Sequence, residues 1–202
     1  MRFYLYFLLA LFTPIAYSAP VLGPNTAEGL IDTGLQSEPL MWLPFPLPYE
    51  VTRNSKSKDA KLLETLFKYK LVVREKSMTM EEVETVSETR KRLKLLWIYN
   101  YPDHRALEDQ EGFYYGRGRL KKILDMTEPV EKGNSYFVQV HVQWYVDDMQ
   151  AWIKDPAFRS ARTLRRSVES FKKPFEKKVY LQYTNSRWRY WTPEPGASVY
   201  NW

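Results

Sequence analysis

The chain has 202 residues, 44% of them hydrophobic and 16% aromatic, with a net charge of +6 and no cysteine. That composition supports one core or two small lobes sharing an interface, and it excludes cysteine nucleophiles and disulfides. Only two histidines, His104 and His141, are available as bases, and no G-x-S-x-G elbow, phosphate loop or dinucleotide fingerprint occurs.

In chain order, "MRFYLYFLLALFTPIAYSAP" opens with Arg2, an apolar run from Phe3 to Phe12, the breaker Pro14 and small residues before Ser18. This is the layout of a signal peptide over residues 1–18, cleaved after Ser18. The apolar run falls well under the roughly 20 residues of a membrane-spanning helix. Removal of residues 1–18 leaves 184 residues with net charge +5, since Arg2 is the only charge lost. An exported chain without cysteine is expected to be a periplasmic or secreted bacterial protein, soluble after export and without a transmembrane segment.

Residues 19–50 read as an extended lead-in, punctuated by Pro20, Pro24, Pro39, Pro44, Pro46 and Pro48. Its end carries Met41, Trp42, Leu43, Phe45 and Leu47, expected to lie as a strap on the folded body or to dock a partner. Residues 51–110 form a helix-and-hairpin lobe of winged-helix-like order. Ser57 caps a helix with Leu62, Leu63, Leu66 and Phe67 on one face. "LVVREK" follows as a short strand. After Thr79, a capping-box pattern and the spacing of Val83, Val86, Arg90 and Leu93 favour a short helix or irregular turn. A strand then runs from about Leu93 to Tyr101 and ends at Pro102.

Residues 111–192 are expected to form an antiparallel sheet with helices packed on one face, so the fold class is α+β. "FYYGRGR" reads as a short strand and glycine turn, "LKKILDMT" as a strand, and "EPVEKGN" as a loop. The stretch "SYFVQVHVQWYVDD" is a long strand. Its even positions from Tyr136 to Val146 are apolar and belong to the core, while Phe137, Gln139, His141, Gln143 and Tyr145 share the opposite face. Asp147 or Asp148 can cap a short helix through Ile153. Asp155-Pro156 starts a helix with Phe158, Ala161, Leu164, Val168 and Phe171 on one face, ended by Pro174. Two alternating strands around Asn185-Ser186 close the fold, and residues 193–202 form a tail.

Phe113-Tyr114-Tyr115-Gly116, Thr127-Glu128-Pro129, the long alternating strand and the short helix carrying Trp152 together resemble small exported bacterial proteins of uncharacterised function. The resemblance supports the order of elements and brings no catalytic residue with it.

Two surfaces stand out for binding. Phe137, Gln139, His141, Gln143 and Tyr145 combine aromatic rings with hydrogen-bonding groups on one face, as a ligand floor does. Arg159, Arg162 and Arg166 share a face of the expected basic helix and could meet anionic lipid headgroups or an acidic protein. Asp103, His104, Glu108 and Asp109 read as solvated loop charges rather than a metal site. No catalytic residue, cofactor or metal is assigned, and nucleic acid is not expected outside the cytoplasm. The expectation is a non-enzymatic envelope protein that binds another protein or an anionic envelope component. A small-ligand module using the polar face of strand 135–147 is the alternative.

Overall fold

The computed structural model describes residues 19–84, 89–103 and 111–192. The expected signal peptide, residues 1–18, the expected tail, residues 193–202, and three of the residues expected as solvated loop charges, His104, Glu108 and Asp109, lie outside the described residues.

The chain folds as α+β, with three α-helices among the described residues, one strongly curled half-barrel sheet and one small three-stranded sheet. Part of the lead-in expected to be extended is instead helix α1, Pro24–Ser37. Pro24 sits in its first turn, where a missing N–H costs nothing. Ala27, Ile31, Gly34 and Leu35 follow at helical spacing and are all buried. Tertiary burial here outweighs a sequence poor in strong helix formers. The strap after it also pairs as strand: β1, Pro39–Trp42, and β2, Tyr49–Thr52. Trp42 and Phe45 are buried as expected, whereas Leu43 is exposed.

Helix α2, Lys58–Lys68, is capped by Ser57, whose hydroxyl accepts from the Ala60 N–H at 3.1 Å. It buries Leu62, Leu63 and Leu66. The helix or turn expected after Thr79 is absent up to Glu84. Strand β3, Val73–Glu84, pairs in register with β4, Thr89–Asn100, along its whole length. Cross-strand charges such as Glu81 and Lys94, 3.2 Å apart, help the hairpin over the local helical pattern. The small sheet has the order β2-β4-β3.

The large sheet has the order β1-β5-β7-β8-β9, with β6 also paired to β7. Strand β5 runs unbroken from Phe113 to Met126, so the expected glycine turn at "YGRGR" is strand. Gly118 serves close packing there, because a Cβ would stand 3.2 Å from the Leu35 carbonyl oxygen of α1. "EPVEKGN" carries strand β6, Val130–Lys132, and a turn at Gly133 with φ +60°. Strand β7 is Ser135–Asp147, β8 is Phe175–Thr184 and β9 is Arg187–Trp191. The last two turn at Asn185 and Ser186, both at positive φ.

The long helix expected from Asp155 is broken. The Asp155 carboxylate accepts from the Ala157 N–H at 2.9 Å and caps only a short 3-10 turn, Pro156–Phe158. Ala161 is extended, and helix α3 runs from Arg162 to Glu169. Leu164 is buried, but Val168 and Phe171 are exposed, contrary to the expected apolar face. Another 3-10 turn, Ala151–Lys154, follows Gln150 rather than an aspartate cap.

Two apolar clusters hold the layers. One joins α1 through Ile31 and Leu35 to Val138, Val140, Val142, Val179 and Leu181 of the large sheet. The other runs from Leu63 and Leu66 of α2 to Phe113, Val146, Trp152, Phe158 and Leu164, so the two expected lobes share a core. Trp144 packs against both.

Candidate functional site

Alternation along β7 sends Val138, Val140, Val142 and Val146 into the core, as expected. The odd residues from Phe137 to Tyr145 are all half-buried. Their neighbours on β8 follow from the register: Gln139 lies opposite Tyr180, His141 opposite Lys178, and Gln143 opposite Glu176.

At the turn end, Phe137 and Gln139 join Tyr180, Thr127, Val130, Glu131 and Lys132 around an open-sided groove of about 470 Å³. Strand β5 stops at Met126 and β6 resumes pairing at Val130, so the intervening Thr127-Glu128-Pro129 bend lets β6 form one wall. Thr127 is tied to the floor twice. Its N–H donates to the Gln139 carbonyl oxygen at 3.0 Å, and its hydroxyl accepts from the Gln139 N–H at 3.1 Å. The Gln139 side-chain amide donates to the Tyr180 hydroxyl at 2.8 Å. Trp191 of β9 stands nearly perpendicular to the rings of Phe137 and Tyr180, with centroids 5.7 and 5.8 Å away.

The rest of the odd face does not belong to this groove. His141 Nε2 lies 3.4 Å from Glu176 Oε2, and Gln143 donates to Glu176 Oε1 at 2.8 Å. This His–Glu pair is open to water, with side chains 37% and 50% exposed. Tyr145 packs edge-on against Phe171, 5.1 Å between centroids. Phe137 and Tyr145 are eight residues apart, about 26 Å along a strand, too far for one small ligand. The five residues therefore divide into a groove, an exposed polar pair and an aromatic contact.

The three arginines are not on one helix. Arg159 closes a 3-10 turn, Arg162 begins α3, and the Arg166 guanidinium stacks 5.0 Å from the centre of the Phe175 ring. Arg162 also faces the unfavourable end of the α3 dipole. Among the described residues no group of three or more His, Cys, Asp or Glu side chains could hold a metal ion.

Sequence reasoning missed Tyr180, Trp191 and the β6 wall. A signal for Tyr180 was present, since inward Val179 and Leu181 place it on the other face of β8. Also unforeseen is Lys177 on the core face, its ammonium 5.5 Å from the centre of the Trp144 ring. Burial pushes the Lys177 pKa down, and the Glu38 charge partly opposes this. On β9, burial and then the Glu38 charge push the Tyr190 hydroxyl up to about 12.

No family model, curated protein or solved structure matches the chain.

Proposed function

We propose that this chain is an exported, non-enzymatic binding protein of the bacterial envelope that holds a small, partly apolar ligand in the groove beside β6. The observation that carries this reading is the groove itself: an apolar floor at Phe137 and wall at Val130, with the Gln139–Tyr180 pair supplying hydrogen-bonding groups. Concave sites of this kind, with few polar groups among apolar ones, suit small organic ligands. Export rests on the signal-peptide pattern of residues 1–18, and the non-enzymatic part on a sequence with no cysteine and two histidines. The ligand reading takes precedence over capture of a protein or anionic envelope component by Arg159, Arg162 and Arg166, whose placement divides them between two elements. For residues 51–110, a winged-helix-like lobe is supported by α2 followed by the β3–β4 hairpin.

The test is a thermal-shift screen of small aromatic amides and neutral sugars. At least one compound raises the melting temperature of the wild type and of His141→Ala, and fails to do so with Gln139→Ala. Equal shifts in all three proteins, or none from any compound, would remove the groove as the site.

A further inference from the structure

The β3–β4 hairpin carries an unused edge. Strand β2 pairs only with Leu96 to Tyr99 of β4, and the Arg53 N–H then donates to the Leu95 carbonyl oxygen at 3.0 Å. A strand residue presents its N–H and C=O on the same side, alternating along the strand. Leu95 faces outward, so Lys91 and Leu93 do too, and no strand among the described residues pairs with them on that side.

Where β2 ends, Thr52, Arg53, Asn54, Arg92, Leu93, Lys94, Leu95 and Glu81 surround an open groove of about 460 Å³. Its one acid, Glu81, is already taken by Lys94 at 3.2 Å. Arg53 and Arg92 have no carboxylate within ion-pair distance among the described residues, so the groove has surplus positive charge. On the other face of the hairpin, Met78 lies opposite Leu95 and Met80 opposite Leu93. Met78, Met80 and Leu93 are 68%, 59% and 55% exposed.

We propose that this edge of β4 receives an extended segment of a partner protein in which acidic and apolar residues alternate. Added beside β4, such a strand continues the line of β2 and hydrogen-bonds to Lys91 and Leu93. Its acids lie level with Arg92 and Lys94, and its apolar residues extend the Met78–Leu95 and Met80–Leu93 pairs. Charge selects this occupant over a second copy's identical edge, because two basic edges repel each other.

The probe is an end-capped peptide alternating glutamate and leucine, titrated into the full-length protein and followed by amide hydrogen exchange. Exchange at Lys91 and Leu93 slows by about tenfold or more, the protection expected of newly bonded amides. The peptide methylated on the backbone nitrogens that face β4, and the version with lysine for glutamate, give no protection. Arg92→Gln weakens binding severalfold without changing the melting temperature. Unchanged exchange at both amides, or equal binding by the methylated peptide, overturns the proposal. Concentration-dependent dimerisation that protects the same amides without peptide assigns the edge to a second copy and also overturns it.

Discussion

Gln139 and Tyr180 face each other across the β7–β8 ladder, and the glutamine amide donates to the tyrosine hydroxyl at 2.8 Å. The bond sits half-exposed, so its net worth is about 0.5–1.5 kcal/mol. Gln139→Ala and Tyr180→Phe are each expected to lower stability by that order. Because both remove the same bond, the double variant should cost less than the sum. Urea unfolding of the four proteins measures the coupling, and strict additivity would contradict a shared bond.

Two glycines of α1 should respond oppositely to alanine. Gly29 faces open space, so Gly29→Ala gains helix propensity worth about 0.5–1 kcal/mol. Gly34 lies against the Tyr190 ring, and a Cβ there overlaps ring carbons. Gly34→Ala should therefore destabilise by about 1–3 kcal/mol through overpacking. Equal effects of the two variants on the denaturation midpoint would refute the close contact of α1 with β9.

Arg74 fastens α2 to the hairpin. Its guanidinium lies 4.1 Å from the centre of the Phe67 ring and 4.5 Å from that of Trp97, and it pairs with Glu64. Arg74→Ala removes two stacking faces and an ion pair, a loss of about 1–2 kcal/mol. Arg74→Lys keeps the charge but loses the planar group, and should recover less than half of it. Full recovery by lysine would show that charge alone matters.

Alkaline stability should carry the mark of Tyr190. Its hydroxyl, buried and near the Glu38 charge, has its pKa raised from 10.0 to about 12. Between those values the unfolded chain loses the proton while the folded one keeps it. The stability present below the ordinary value is therefore lost as pH rises through about 12. Lys177, with its pKa lowered by burial, acts in the opposite sense as pH approaches its ordinary range. Denaturation midpoints measured from about pH 9 upward should fall more steeply in the wild type than in Tyr190→Phe. Identical slopes would show that Tyr190 ionises in the fold as it does in the unfolded chain.

Strands β7, β8 and β9 of the large sheet were legible in the sequence because they alternate, as in Val138, Val140 and Val142 of β7, whereas the glycines of β5 looked like a turn and β1 and β6 were not legible. Helix α1 was not, since Thr26, Gly29, Thr33 and Gly34 disguise a helix that forms by burial against the sheet. The β3–β4 hairpin was misread beyond Thr79, because its helical spacing is local and its pairing, Thr79 with Lys94 and Glu81 with Arg92, is not. In the candidate site, the face of Phe137 and Gln139 could be read off. The wall could not, because Glu131 and Lys132 are exposed and look like loop residues. The grouping of Arg159 with Arg162 and Arg166 failed for a related reason: one extended residue, Ala161, resets the helical phase.

The groove beside β6 is tested most directly by amide chemical-shift mapping of whichever compound gives the strongest thermal shift. Perturbations should concentrate at Thr127, Val130, Phe137, Gln139 and Tyr180, and should vanish in Gln139→Ala. Perturbations centred on His141 and Glu176, or on Arg159, Arg162 and Arg166, would contradict the assignment of the groove as the binding site.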